Sequence, residues 1–314
     1  MKLSVVVPVF NEEAGIEHFH DEMLMPVVKN LEVKSVEVIY VNDGSRDRTL
    51  EKLQRMAKKD ERVKVVSFVR NFGKEVALAA GIEAASGDAV LTIDADGQQP
   101  PEIIPEFVEK WEAGAKVVTG VRKHFQKHGL VAKLGSKLFY FLMKRMGTET
   151  VPGSTDFRLI DKVVKEEYCR LTERNRITRG LIDWMGFPQE YVYYVYGNRH
   201  AGKANYKFWK LAKLAIDSFI SLSIRPLLFL GWMGMIITFL SGVLGVFVIV
   251  QQLIMGDPLG LNWTGPTMLA IFITFLVGMV LISQAVVALY ISHIYAETQG
   301  RPLYILDREG SRGI

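Results

Sequence analysis

The sequence predicts an α/β fold: a mostly parallel sheet flanked by helices, followed by interfacial amphipathic helices and two transmembrane helices. Three observations predict it. Short β-branched runs alternate with helical segments through the first two thirds of the 314 residues. The ends of those runs carry polar clusters. The C-terminal third holds two long apolar stretches without a charge, where the excess behind the 49% hydrophobic content and the mean hydropathy of +0.16 is concentrated.

The strands come first. KLSVVVPVF, VEVIYVND, VKVVSFV and DAVLTIDAD are rich in valine and isoleucine, which fit a pleated, half-buried surface. Between them, DRTLEKLQRMAKKD and KEVALAAGIEAAS have helical periodicity with charged faces. Strands alternating with helices in this way imply βαβ units and a sheet covered on both sides. Ligands of such sheets bind beyond the carboxyl ends of the strands. Three of those ends are polar here: PVFNEE (8–13), VNDGSRD (41–47) and DADGQ (94–98). The opening MKLSVVVPVF reads as a strand, because its apolar run is short and lacks a small-residue cleavage site.

Neither the dinucleotide fingerprint GxGxxG nor the phosphate loop GxxxxGK[ST] occurs in the sequence. Asp94 and Asp96 offer another way to hold a nucleotide diphosphate. Alternation along a strand points both the same way, with Gln98 on that face if strand geometry continues. Two like charges that close call for a cation between them. Mg²⁺ or Mn²⁺ takes one or two carboxylates and completes its shell with phosphate oxygens and water. Cys169 is the single cysteine, which excludes an internal disulfide framework and a cysteine zinc cage. No histidine cluster has metal-ligand spacing.

The apolar stretches are residues 227–250 and 268–291, both free of charged residues and long enough to span a bilayer. Lys203, Lys207, Lys210, Lys213 and Arg225 precede the first, Arg301 and Arg308 follow the second, and the connecting loop has no Lys or Arg. The positive-inside rule therefore puts both flanks in the cytoplasm. Residues 120–147 carry Arg122, Lys123, Lys127, Lys133, Lys137, Lys144 and Arg145 without an acidic residue, while Leu130, Leu134, Leu138, Phe141 and Leu142 recur at helical spacing. A second amphipathic stretch sets Lys207, Lys210 and Lys213 against Phe208, Leu211, Ala215, Phe219 and Leu222. Such helices lie in the membrane interface with lysines at anionic head groups.

Taken in order, PVFNEE, VNDGS, RNFGKE, DADGQQPPE, STDFRL and the two spans resemble glycosyltransferase family 2, in particular its polyprenyl-phosphate branch. The resemblance covers nearly the whole chain. It implies a GT-A fold, a nucleotide-sugar donor, Mg²⁺ or Mn²⁺, and inverting transfer to a polyprenyl phosphate. By it, residues 1–200 are a cytoplasmic catalytic domain, 201–225 a juxtamembrane amphipathic segment, 226–293 a transmembrane hairpin and 294–314 a cytoplasmic tail. The expected partners are the donor, the lipid phosphate, the membrane and further copies of the chain as a homo-oligomer, a tetramer by resemblance, with no nucleic acid. Gly231, Gly234, Gly242 and Gly245 would allow close approach of helices.

Carried over residue by residue, the resemblance makes Pro8, Phe10, Asn11 and Glu12 the lining of the base and ribose pocket, and Asp43 a contact of the uracil or ribose edge. Asp94, Ala95, Asp96 and Gln98 surround metal and diphosphate, with Asp94, Asp96 and Gln98 the metal ligands. Gly97 departs from the leucine common at its position. Asp156 is the candidate catalytic base beside Asp96. A phosphate monoester has its second pKa near 6 and is mostly ionised already, so the alternative role for Asp156 is to orient the sugar or stabilise charge at the anomeric carbon. Arginine forks suit phosphate: Arg122 and Arg199 match donor-diphosphate and acceptor-phosphate positions, with Lys203 or Lys207 as a further acceptor contact, and Arg158 and Arg179 either phosphate contacts or structural ion-pair partners. The expected sugar is glucose on uridine diphosphate, ahead of galactose, N-acetylglucosamine, a 4-amino-arabinose or guanosine-linked mannose. Two rivals are a transferase acting on a lipid-linked saccharide or polymer, and a non-catalytic nucleotide-sugar-binding scaffold.

Overall fold

The computed structural model describes residues 1–123, 151, 153–174, 176–195, 236, 239, 240, 243, 250 and 265–313. The chain forms two compact units, one of Met1–Tyr206 with Arg301–Ile314 and one of Lys207–Gly300.

The first unit is built on a seven-stranded sheet of β1 (Lys2–Val9), β2 (Ser35–Asn42), β3 (Val63–Ser67), β4 (Ala89–Thr92), β5 (Val117–Arg122), β6 (Ser154–Asp161) and β7 (Gln189–Tyr194), in the order β3-β2-β1-β4-β6-β5-β7. All pairs are parallel except those of β6, which runs antiparallel to both β4 and β5. The sheet is mostly parallel, as predicted, with β6 the one antiparallel strand. Alternate residues of β1 feed two cores: Val5 and Val7 pack into one, Val6 into the other. Both faces are covered, which is why the strands read as nearly unbroken apolar runs.

Helix α1 runs through three consecutive stretches, Ile16–His18, Phe19–Leu24 in wider π turns, and Met25–Lys29. The others of this unit are α2 (Thr49–Lys59), α3 (Lys74–Ala84), α4 (Ile104–Glu112), α5 (Lys162–Arg170) and α6 (Thr178–Trp184). Helix α2 keeps the expected charged face, burying Thr49, Leu53 and Met56. Helix α3 does not: six consecutive residues from Ala77 to Ile82 are buried. It packs on β1 and β2 on one side and against α5 and α6 on others, so the small residues replace a polar face. A Cβ on Gly81 would stand 2.2 Å from Val6 Cγ1, so glycine sets how closely α3 approaches β1.

The second unit contains α7 (Gly265–Thr298), which corresponds to the second predicted span. Among the described residues, Phe275–Ser292 is the one stretch long and apolar enough to cross a membrane, with 0% of it buried. The first predicted span lies mostly outside the described residues, as do most of 120–147 and the stretch from Lys203 to Leu222.

The last residues are not a loose tail. Val65 and Arg312 pair antiparallel, as do Phe68 and Leu306, and the segment covers the outer edge of β3, where unpaired strand groups would otherwise be exposed.

Candidate active site

The carboxyl ends of β1, β2 and β4 assemble the predicted polar clusters, and their loops are tied to one another. Asn11 adopts a left-handed φ of 53°, which asparagine tolerates better than most residues. Its backbone N–H donates to Ser45 Oγ at 3.0 Å and its Oδ1 accepts from the Arg46 N–H at 2.9 Å. The Glu12 N–H donates to Thr49 Oγ1 at 2.9 Å. Phe10 is 43% exposed at this rim. Pro8 stands in β1 opposite Val41. A cleft between this loop and the turn after β4 is lined by Glu12, His18, Phe19, Met23, Asp96 and Gly97, which brings Glu12 and Asp96 together.

Asp43 is 3% exposed and is used by its neighbours. It accepts from the backbone N–H of Phe72 at 2.6 Å, that of Gly73 at 2.9 Å and Asn71 Nδ2 at 2.8 Å. Burial pushes its carboxyl above the ordinary range, against those hydrogen bonds. Asp43 thus organises the loop before α3. Gly44, at φ 62°, lets the turn pass close by: a Cβ there would lie 2.2 Å from the Arg70 carbonyl carbon.

The strand alternation expected of Asp94 and Asp96 does not hold. Strand β4 ends at Thr92 and the chain turns at Ala95 and Asp96, with Gly97 at φ 72°. Asp94 is held by the turn: its N–H donates to Gln99 Oε1 at 2.9 Å and its Oδ2 accepts from Gln99 Nε2 at 2.9 Å. Asp96 Oδ1 accepts from the Gln98 N–H at 3.0 Å. Ala95 is 6% exposed. It is therefore Gln99, buried and not singled out in the sequence, that fixes Asp94.

Asp156 arrives from β6. The antiparallel register pairs Thr92 with Arg158, and Asp94, two residues after Thr92, and Asp156, two before Arg158, lie beyond that pair within reach of one lysine. Lys74, the first residue of α3, joins them: its Nζ is 2.6 Å from Asp94 Oδ1 and 3.2 Å from Asp156 Oδ2. Burial disfavours charge on Lys74, yet the two carboxylates overcome it and raise its pKa. Burial likewise works against ionisation of Asp156, but Lys74, Arg179 and Arg158 hold its carboxyl below the usual range. Asp94 goes the other way, since burial outweighs Lys74. Asp156 Oδ1 is buried without a hydrogen-bond partner, which a buried acceptor ordinarily has.

Arg122 ends β5, its N–H bonded to Gly153 O at 3.0 Å. Arg158 is 2% exposed and pairs with Asp183 at 2.7 Å, a structural ion pair. Arg199, Lys203 and Lys207 lie outside the described residues. Sequence reasoning missed Lys74, Gln99 and the Asn71–Gly73 loop. RNFGKE held the signal for two of them: a glycine able to take a positive φ, found at 105°, directly before a helix whose first side chain is a lysine.

Residues 4–167 match the family model described as glycosyl transferase family 2. The chain is 38% identical over 307 residues to an uncharacterized glycosyltransferase of Synechocystis, covering 98% of this chain and 95% of that one. It is 38% identical to the bactoprenol glucosyl transferase of Shigella phage SfV, covering 98% of this chain and 99% of the relative. To a prophage bactoprenol glucosyl transferase homolog of Escherichia coli it is 36% identical, with 98% and 99% covered.

Proposed function

The chain belongs to glycosyl transferase family 2, and from this we propose that it transfers glucose, with inversion, from uridine diphosphate glucose to a polyprenyl phosphate such as undecaprenyl phosphate. The observation that carries the reading is the joining of Asp94 and Asp156 by Lys74 at the ends of neighbouring strands, in a chain so similar over its length to proteins named bactoprenol glucosyl transferases.

Phe10, Asn11 and Glu12 with the Asp43-organised loop receive the base and ribose. Among the described residues no three metal-binding side chains converge. Asp94, Asp96 and Gln98 fit a hard divalent cation that draws the rest of its shell from diphosphate oxygens and water, and the unmatched Asp156 Oδ1 marks a place prepared for a ligand. Bound there, Mg²⁺ or Mn²⁺ would supply Lewis-acid chemistry toward a nucleoside diphosphate.

The side chains do the remaining work. Lys74 keeps two carboxylates ionisable side by side and adds a positive charge beside the diphosphate. Arg122, with Arg199 and Lys203 or Lys207, binds phosphate. The acceptor phosphate is already anionic near neutral pH, so Asp156 is assigned to orienting the sugar and stabilising positive charge at the anomeric carbon. The depressed carboxyl of Asp156 suits that role, since it stays ionised. Residues 226–293 anchor the chain in the cell membrane as a two-helix hairpin, with catalytic domain and both termini cytoplasmic, and the hairpin supports a homo-oligomer.

The test is transfer of labelled sugar from a panel of nucleotide sugars to undecaprenyl phosphate by purified protein, with and without Mg²⁺ or Mn²⁺, beside Asp96→Asn. The expected result is one lipid-phosphate sugar, metal-dependent and lost in the variant. Absence of transfer from every donor, with nucleotide binding intact, would move the reading to a lipid-linked saccharide acceptor or to a scaffold.

A further inference from the structure

We propose that the C-terminal tail, from Arg301 to Gly313, is a positioning strap that holds the loop organising the donor site. Its grip on the end of β3 is extensive. The Val65 N–H donates to Arg312 O at 2.9 Å and the Arg312 N–H returns to Val65 O at 2.8 Å. The Asp307 N–H donates to Ser67 O at 2.8 Å, the Val69 N–H to Ile305 O at 3.1 Å, and the Ser67 N–H to Ser311 Oγ at 3.0 Å. A segment needed only to cover an edge strand would stop at the strand, whereas this one continues past Ser67 to the first residues of the loop.

Tyr304 extends the grip in two directions. Its ring stacks on Phe68 at 4.8 Å between centroids, Phe68 meets Phe72 edge-on at 5.7 Å, and the Arg70 guanidinium lies 4.0 Å over the Phe72 ring. An aromatic stack thus runs from the tail to Phe72, whose N–H is one of the donors to Asp43. The Tyr304 hydroxyl donates to Glu83 Oε2 at 3.0 Å, near the end of α3. The helix that presents Lys74 is therefore held by the tail at its last turn, and the loop before it through Phe68. Aromatic pairs of these geometries and a hydrogen bond to a carboxylate contribute beyond area burial.

The strap explains why the loop Asn71–Gly73 can give three hydrogen bonds to one carboxylate without its own backbone ladder. It rests on the proposed function only in naming the ligand, a uridine nucleotide. The experiment uses full-length protein and two readouts: amide hydrogen exchange in peptides spanning residues 70–74, and the Kd for uridine diphosphate. Tyr304→Ala should speed exchange in those peptides and weaken the nucleotide by about fivefold or more, while peptides of β1 and β4 stay protected. Tyr304→Phe keeps the stack, loses the Glu83 bond and should fall between. Wild-type exchange at 70–74 and wild-type affinity in folded Tyr304→Ala would overturn the strap. If Tyr304→Ala does not fold, Tyr304→Phe and Leu306→Ala decide by the same two readouts. If wild-type protein binds no uridine diphosphate, the proposed function fails and the exchange measurement still judges the strap.

Discussion

Lys74 is the residue on which the site turns. Removing its ammonium leaves two carboxylates facing each other with no cation between them, which raises the cost of ionising both. Lys74→Met should reduce sugar transfer by roughly 100-fold, the loss usual for one preorganised charge at a reacting centre, and Asp156→Asn by a similar factor. Initial rates at saturating donor check this; a Lys74→Met rate within about threefold of wild type would show that the lysine only packs. Glu37 makes a different prediction, because it lies at the start of β2, away from the strand ends that carry the site, and is 4% exposed. Burial alone would raise its pKa, but hydrogen bonds from Ser4, Ser86 and Lys64 bring it down to about 2 from 4.5. A depressed carboxyl stabilises the fold above its unfolded pKa and loses that contribution as pH falls through the folded one. The shift corresponds to on the order of 3 kcal/mol. Glu37→Gln should therefore lower stability at pH 7, and the gap to wild type should close between about pH 5 and pH 2 in denaturant titrations.

At the scale of elements, α3 shows how tight packing fixes the loop before it. Gly81→Ala puts a methyl group 2.2 Å from Val6 Cγ1. Overpacking of this kind costs about 1–3 kcal/mol, more than the helix propensity gained, so Tm should drop despite the better helix former; a rise in Tm would mean that α3 shifts freely. The first four strands were legible because their valine and isoleucine runs are bounded by turn residues. Strands β5, β6 and β7 were not. In β6, the buried run from Phe157 to Asp161 includes Arg158 and Asp161, so it shows neither alternation nor an unbroken apolar run, and STDFRL drew attention as chemistry rather than as a strand. The charged face expected on α3 failed for a related reason, since alanines and a glycine under two further helices carry no periodic signal. Asp94 and Asp96 were legible as residue types at a strand end, and Asp156 through the resemblance alone. The geometry was not, because Gln99 and Lys74 position Asp94, and Lys74 Asp156, through contacts hidden in a turn or distant in sequence.

At the scale of the whole molecule, the path of the chain constrains its membrane topology. The chain leaves the first unit after Tyr206 and returns to it at Arg301. If the chain is anchored in a membrane as proposed, a body that contains both segments lies on one side of it, and the residues between would cross an even number of times. Phe275–Ser292 is apolar enough for one crossing, at about 1.5 Å of rise per residue within a helix that continues at both ends. The proposed hairpin would take its other crossing from residues 227–250, which carry no charge. The single cysteine makes this measurable. Cys169 is exposed on the first unit, so a membrane-impermeant maleimide should reach it only from the cytoplasmic face of sealed vesicles. Placing the one thiol in the tail instead, by Cys169→Ser with Arg308→Cys, should give labelling from the same face. Cys169→Ser with Asp257→Cys, in the connecting loop, should give labelling from the opposite face. Tail and Cys169 labelled from opposite faces would require an odd number of crossings, which a tail bonded to β3 does not permit.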